Sequence, residues 1–372
     1  MTTATDWTPA QLAALATSSL ATIQSLQHES GAYPASPTFS AYRGYSWFRD
    51  GAFIADGVSA GGGVESAGRF FDWCTRILVE RRAQVVEIVA AAEAGTPVAD
   101  DQMLATRFTL DGEAGDDDWW DFQLDGYGTW LWAAVAHGRR HGIPLERWRE
   151  GFELSVDYLV SSWQRPCFDW WEENPERVHV STLGCIAAGL TSVAGAGVLD
   201  AARTAAASAA SEQIHSLIRA SGTADGHLVK WLGATEVDAS LLALLAPLSV
   251  FPPTEPLGAQ TLDAIERSLS VDGGVHRYLA DTFYGGGQWP LLSCMLGLAQ
   301  AAAGDRAAAL AELRWAAATA LPDGTMPEQV DTHLLAPHMR AEWVERWGTV
   351  ATPLLWTHAM YLRLAVELGV VE

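Results

Sequence analysis

Apolar residues recur every three to four positions along most of the chain, whereas alternating runs of strand length are scarce. Such spacing predicts amphipathic helices, because β-strands place apolar side chains at every second position. We predict helices at residues 8–28, 50–61, 64–94, 126–141, 145–162, 178–193, 197–219, 236–247, 258–269, 287–303, 305–320 and 349–369. The pattern therefore predicts an all-α protein.

The connections between these helices alternate in length. Those after the second, fourth, sixth and tenth helices are short and marked by glycine, as expected of helical hairpins, and the one after the eighth is rich in proline. The others are longer, at about 29–49, 95–125, 163–177, 220–235, 270–286 and 321–348. An outer helix, a long loop and an inner helix repeated six times would bring every long loop to one end of a closed ring. This predicts an (α/α)6 barrel with a pocket at that end, formed by residues 1–372 as one domain.

Composition narrows the choice of partners. The 45 acidic and 23 basic residues give a net charge of −22, which disfavours nucleic acid and anionic membrane surfaces. The four cysteines lie far apart, without metal-ligand spacing, which argues against a structural zinc site or a disulfide scaffold. The N-terminus lacks the pattern of an export signal, and no segment is long and apolar enough to span a membrane. A cytoplasmic location is the default expectation.

Three of the long loops carry candidate chemistry. Residues 42–53 (YRGYSWFRDGAF) combine aromatic rings with Arg49 and Asp50, which suit a polyhydroxylated ligand, although Asp50 alone also suits a helix cap. Glu172 follows Trp171 in the third loop, where lost hydration would raise the pKa of its carboxyl; a solvated acidic helix start is the alternative. Glu328, in the sixth loop, is uninformative by itself.

Glu172 and Glu328 gain meaning together, because the barrel arrangement brings their loops to the same face. Two carboxyl groups across a pocket with aromatic walls are the equipment for glycoside hydrolysis, which needs neither metal nor cofactor. A non-catalytic carbohydrate-binding toroid is the alternative from another class. A sugar epimerase on the same barrel is the enzymatic rival, but it would use paired histidines, which do not accompany the clearest pocket motifs here.

Six segments, in order, resemble those of glycoside hydrolase family 15, the glucoamylase and glucodextranase family. They are YSWFRDGAF (45–53), WWDFQLDGYG (119–128), FDWWEE (168–173), VDASLLALLAP (237–247), GGVHRYLADTFYGGGQWPL (273–291) and TMPEQ (325–329). The resemblance runs from about residue 42 to 365. It implies an (α/α)6 barrel, in agreement with the helix pattern.

The resemblance also implies a role for each candidate. Glu172 is expected to be the general acid and Glu328 the general base of an inverting hydrolase, with their carboxyl groups roughly 6.5–9.5 Å apart. Arg49 and Asp50 are expected to grip the non-reducing glucose, and Arg277 to line the same pocket. The expected aromatic walls and supports of the acid are Trp47, Trp119, Trp171, Asp169 and Glu173.

Two positions depart from the family pattern. Members commonly carry a tyrosine four residues before the tryptophan of W-x-R-D, and this tyrosine helps to hold the catalytic water. This chain has Arg43 at that place. If Gly44 is an extra residue, Tyr42 takes the role of the family tyrosine, and we prefer Tyr42 to Tyr45. Phe283 stands where D-T-Y-Y would place a tyrosine. The missing hydroxyl removes a hydrogen bond from the site, so we expect the pH profile to depart from a two-carboxylate bell.

The expected substrate is a short oligosaccharide and the expected product glucose. The chain is most similar to small, single-domain family members that cleave isomaltose and other α-1,6-linked glucosides, without a dedicated polysaccharide-binding domain. Malto-oligosaccharides with α-1,4 links, and then trehalose, are the alternatives. Contacts that set linkage preference amount to about 1–3 kcal/mol, too fine to infer from residue types.

Overall fold

A computed structural model describes residues 7–115, 119 and 122–371. This part of the chain is mainly helical. Its α-helices are α1 (Pro9–Leu26), α2 (Phe48–Ala60), α3 (Val64–Glu80), α4 (Arg82–Glu93), α5 (Asp125–His141), α6 (Arg149–Ser162), α7 (Val180–Ala194), α8 (Ala201–Ser221), α9 (Leu242–Leu245), α10 (Pro256–Leu269), α11 (Pro290–Ala302), α12 (Arg306–Ala318), α13 (Arg340–Trp347) and α14 (Leu355–Glu367).

The strands are short and lie in the loops. They form antiparallel pairs, β1 (Tyr45–Trp47) with β2 (Arg107–Thr109), β3 (Thr223–Ala224) with β4 (His227–Leu228), and β5 (Ser270–Val271) with β6 (Gly274–Val275). In the first pair Ser46 lies opposite Phe108. This pairing ties the loop that enters α2 to the loop that enters α5.

Two concentric rings of helices form the barrel. The inner ring is α2, α5, α7, α9, α11 and α14, in which each helix contacts the next and α14 returns to α2. The outer ring is α1, α3 with α4, α6, α8, α10 and α12. The inner helices are buried along most of their length, because neighbours cover them on every side. The (α/α)6 barrel predicted from the sequence is confirmed.

Glycine lets α5 and α7 pack closely within the inner ring. A Cβ atom on Gly128 would lie 2.3 Å from the carbonyl oxygen of Cys185, and one on Gly189 would lie 2.3 Å from the carbonyl oxygen of Gly128. Real side chains do not tolerate such distances, so larger residues would push the helices apart. The contact holds the first turn of α5 against the middle of α7.

Three helix predictions were wrong in detail. The segment 64–94 is two helices, because Arg81 leaves the helical conformation and its guanidinium donates to the Gly112 carbonyl at 2.8 Å. The segment 236–247 shortens to a 3₁₀ turn (Ala239–Leu241) and α9, with Asp238 capping the turn. The last long loop contains α13, which the sequence analysis missed, and α14 begins at Leu355, just after Pro353, rather than at 349. At Arg81 a contact with another loop accompanies the departure from the local periodicity, and Pro353 precedes the start of α14.

The described residues contain no disulfide, and all four cysteines are buried. None of the helices within these ranges is long and apolar enough to cross a membrane.

Candidate active site

A cavity of about 320 Å³ opens at the end of the barrel where the long loops meet. Its described lining comes from five of the six loops, those that enter α2, α5, α7, α11 and α14. The predicted site residues that line it are Tyr42, Trp47, Arg49, Asp50, Trp119, Trp171, Glu172, Glu173, Arg277, Phe283 and Glu328. Asp169 lies behind the lining and is buried. Trp120 and Asp121, part of one motif, fall outside the described residues.

Glu172 sits in a tight turn organised by Asp169. One Asp169 carboxylate oxygen accepts the backbone N–H groups of Trp171 and Glu173, both at 2.9 Å. The Glu172 N–H donates to the Asp169 carbonyl at 3.0 Å, and Glu172 itself has φ = +62°. A left-handed conformation is unfavourable for glutamate and persists only where surrounding contacts enforce it. Asp169 thus directs the Glu172 side chain into the cavity.

The Glu172 side chain is 15% exposed, and its carboxyl group lies among donors. Trp47 Nε1–H donates to its Oε1 at 2.9 Å, and an Arg49 guanidinium nitrogen lies 3.8 Å away. Burial raises the pKa of Glu172 to about 7, against the opposing effect of Arg49. The group can therefore hold a proton near neutral pH.

Glu328 lines the same cavity, on a segment tied to the start of α14. Its N–H donates to the Ala351 carbonyl at 2.9 Å, and the Thr357 hydroxyl donates to the Pro327 carbonyl at 3.0 Å. Burial raises the pKa of the Glu328 carboxyl to about 8, opposed by its hydrogen bond from Tyr42. The second carboxyl oxygen, Oε2, has no hydrogen-bonding partner within the described ranges. That oxygen can accept a hydrogen bond from a molecule bound in the cavity.

Tyr42 reaches Glu328 across the cavity. Its hydroxyl donates to Glu328 Oε1 at 3.0 Å, although the two residues are 286 positions apart. Gly44, at φ = +92°, lies in the turn that separates Tyr42 from β1, a conformation that glycine adopts without strain. Tyr45, the alternative, instead packs its ring against the Arg107 guanidinium, 3.8 Å from the ring centroid.

Arg49 and Asp50 form the inner end of the cavity. Arg49 is buried and donates to Gln123 at 2.6 Å and to Asp125 at 3.1 Å, while Asp50 lies 3.3 Å from its Nε. Burial raises the pKa of Asp50 to about 6, opposed by Arg49. The sequence analysis quoted the Q-L-D segment but gave Gln123 and Asp125 no role. Their place in that motif was the signal that could have identified them.

Arg277 lies on another side of the cavity and is held by Asp281. Its Nε donates to an Asp281 carboxylate oxygen at 2.8 Å, and a second nitrogen donates to the other oxygen. A bidentate pair of this kind fixes the plane of the guanidinium. The guanidinium carbon lies 5.1 Å from the ring centroids of both Trp171 and Phe283. Asp281 belongs to the D-T segment of the motif and was missed.

The outer part of the cavity contains aromatic residues of the last long loop, which lie outside the six family-like segments. Trp343, Arg346 and Trp347 lie on α13, and all three line the cavity. Trp343 packs against Phe283 with 5.0 Å between ring centroids. Trp170 and Trp356 lie near Arg49, and each ring centroid is 6.0 Å from the guanidinium carbon. Stacked or tilted rings with few donors favour the flat faces of sugars.

The chemistry follows from these groups. Two carboxyl groups, one buried and one largely buried, share a cavity with two fixed arginines, and each accepts a hydrogen bond from one aromatic side chain. No three His, Cys, Asp or Glu side chains cluster as metal ligands in the part of the chain that the structure describes. Such a site can donate a proton to one face of a bound molecule and remove one from water at another.

Comparison with known proteins decides the family. The model of glycosyl hydrolases family 15 matches residues 9–321. The chain belongs to this family. The match includes Glu172 but ends before Glu328. As a member, the protein is a glycoside hydrolase.

Individual relatives extend the similarity over almost the whole chain. The isomaltose glucohydrolase of Kribbella flavida is 57% identical over 97% of this chain and 94% of its own length. A solved wild-type glycosidase is 56% identical, covers 98% of both chains and superposes with a TM-score of 0.96. A glycosidase variant solved in complex with glucose is 55% identical, with the same TM-score of 0.96. The glucoamylase of Saccharomycopsis fibuligera shares the fold, with a TM-score of 0.76 at 14% identity.

Proposed function

We propose that this hydrolase removes glucose from the non-reducing end of isomaltose and short α-1,6-linked gluco-oligosaccharides, with inversion to β-glucose. The observation that carries the proposal is the pair of glutamates in one cavity, Glu328 buried and Glu172 partly exposed to it. Similarity to the isomaltose glucohydrolase supports the choice of substrate. Buried Trp170, Trp356 and Arg49 at the inner end favour exo-action, because only a chain end fits a closed pocket.

Each glutamate takes one half of the reaction. Glu172, protonated, delivers its proton to the glycosidic oxygen as the bond to the anomeric carbon breaks. Glu328, ionised, takes a proton from the water that attacks that carbon from the opposite face. Tyr42, hydrogen-bonded to Glu328, holds the same water. The glucose unit lies against Arg49, Asp50 and the aromatic walls, and inversion requires the carboxyl separation of roughly 6.5–9.5 Å expected from the sequence.

The proton has to sit on Glu172 at the moment of reaction. In the free protein, burial raises the pKa of Glu328 further than that of Glu172, which is the reverse of the order that these roles need. We expect bound substrate to reverse the order of the two pKa values. A glycosidic oxygen can only accept a hydrogen bond, so it favours protonated Glu172, and a water molecule donating to Glu328 favours its ionised form.

The leaving sugar is expected to contact α13. Trp343, Arg346 and Trp347 lie on one face of this short helix, toward the outer part of the cavity. An α-1,6 linkage adds a rotatable bond between the two sugars, so the leaving glucose can lie flat on a ring in a way that an α-1,4 link resists. We infer that these residues, with Trp119 and Trp171, set the linkage preference.

The test is to incubate the protein with isomaltose, maltose and trehalose in parallel and to follow the anomer of released glucose by NMR. We expect the fastest release from isomaltose, with β-glucose appearing first. Initial α-glucose would exclude inversion. Faster release from maltose would retain the mechanism but assign α-1,4 specificity, and preference for trehalose would assign a trehalase.

A further inference from the structure

The chain contains a single lysine, Lys230, whereas its other 22 basic side chains of this kind are arginines. Lysine usually lies on the surface with its ammonium group in water. Lys230 is instead 7% exposed, in the one long loop that gives no described residue to the active-site cavity. At this buried position the chain has the compact ammonium group of lysine, whereas it has arginine at the other 22 positions.

Lys230 contacts three different groups with its ammonium. Nζ lies 3.2 Å from an Asp238 carboxylate oxygen and 3.6 Å from one of Asp169. It also lies 3.4 Å from the ring centroid of Tyr278. The backbone is fixed as well, since the Lys230 N–H donates to the Glu236 carbonyl at 2.8 Å. An ammonium that projects three donors in different directions suits this set, whereas a planar guanidinium does not.

Each of these contacts leads to the turn that carries Glu172. Asp169 accepts the backbone N–H groups on either side of Glu172. Both Asp238 oxygens accept the indole N–H of Trp171, at 3.0 Å. The Tyr278 hydroxyl donates to the Glu173 carboxylate. Lys230 therefore joins the groups that hold the residue before Glu172 and the residue after it.

The charges explain why a cation is needed there. Asp169 and Asp238 are both buried, and without Lys230 they would leave two carboxylates to repel one another at low hydration. The carboxylates would then seek other partners or water. The turn, already in the left-handed conformation at Glu172, has the strain to relax when its anchors move.

We propose that Lys230 is a positioning residue, which holds Asp169 and Asp238 so that the turn directs Glu172 at the glycosidic oxygen. The inference rests on the proposed function, since it concerns delivery of the proton by Glu172. Loss of Lys230 then impairs proton donation more than it impairs sugar binding. We expect that arginine does not replace lysine, because a larger guanidinium with all its donors in one plane does not fit between the two carboxylates and the Tyr278 ring as the compact ammonium does.

The test compares Lys230→Met and Lys230→Arg with the wild-type protein on two substrates. Isomaltose needs a proton on its leaving sugar oxygen, whereas α-glucosyl fluoride has a good leaving group that needs little acid help. We expect kcat on isomaltose to fall by at least about tenfold in both variants, with KM changed by less than about threefold and fluoride hydrolysis largely kept.

Arg363→Met is the matched control. Arg363 is a largely buried cation, 17% exposed and paired with buried Asp56 at 3.2 Å, and it is not among the described residues that line the cavity. We expect this variant to lose thermal stability without changing the ratio of isomaltose to fluoride activity. A merely structural role for Lys230 would give the same result as this control.

Two further variants keep the inference testable if Lys230→Met does not fold. Asp238→Asn weakens the same network, and Trp171→Phe removes the indole N–H while it keeps an aromatic wall. We expect both variants to lose more activity on isomaltose than on α-glucosyl fluoride, by a smaller factor than Lys230→Met. Parallel losses on the two substrates, or full activity without Lys230, would overturn the inference. A wild-type protein inactive on every α-glucoside would instead refute the proposed function.

Discussion

Replacing Glu172 by Gln isolates the proton that this residue is proposed to deliver. Glutamine has the same shape and keeps an oxygen for the Trp47 indole, which donates at 2.9 Å in the native site. It is neutral, as the protonated acid is, so the nearby Arg49 at 3.8 Å meets the same charge as in the reactive state. The remaining difference is the missing proton. General acid catalysis is worth about 10²–10⁴ in rate, or about 3–5 kcal/mol.

The assay measures kcat/KM for isomaltose and for α-glucosyl fluoride in Glu172→Gln and Glu328→Gln. The first variant should lose the full factor on isomaltose and less than about tenfold on the fluoride, whose departure needs little protonation. The second should lose activity on both, because the attacking water needs a base whatever group leaves. Circular dichroism checks that both remain folded.

The reverse pattern would exchange the two roles. If Glu172→Gln lost as much on the fluoride as on isomaltose, while Glu328→Gln kept its fluoride activity, Glu172 would be the base. Near-normal activity of either variant on isomaltose would remove that glutamate from the mechanism altogether.

Further outcomes follow from the same geometry and burial. Since burial raises the pKa of Glu172 to about 7 and that of Glu328 to about 8, the acid limb of the kcat/KM profile should lie well above the ordinary carboxyl range near pH 4.5, and a limb at that pH would contradict the buried site. Tyr42→Phe removes the hydrogen bond to Glu328, and kcat should fall by about tenfold or more with KM little changed. An unchanged kcat would contradict the proposal that Tyr42 holds the catalytic water. Phe283→Tyr should bring the pH profile closer to a two-carboxylate bell, and identical profiles would count against a role for the missing hydroxyl. Burial raises the pKa of Glu312, which does not line the cavity, to about 8. Between about pH 4.5 and 8 the folded protein therefore binds more protons than the unfolded chain, and its stability falls as pH rises. Glu312→Gln should raise Tm at pH 8 but not at pH 4.5, as measured by differential scanning calorimetry.

The sequence analysis predicted most of the site, because family motifs are contiguous. Glu172, Glu328, Arg49 and Arg277 each lie in a recognisable segment, and all four line the cavity. Asp169 was expected as a support of the acid, and the structure shows it bonded to the turn that carries Glu172.

What the sequence analysis missed are contacts between distant segments. Trp171 and Asp238 are 67 positions apart, yet the indole N–H of one donates to the carboxylate of the other. Lys230 lies in a loop without any quoted motif. The sequence shows that it is the single lysine, but it does not show which side chains its ammonium group contacts. The helix α13 was missed because the segment around it is polar and rich in turn residues.

The sequence by itself determined the fold class and the chemistry, since helical periodicity and short motifs are local properties that a single chain displays. Only the tertiary structure decided which side chains meet. The break at Arg81 depends on a carbonyl from another loop, and the preference for Tyr42 depends on Glu328, 286 positions away. Closing the ring brings such pairs together, because the six loops converge only after every helical hairpin has packed against its neighbours.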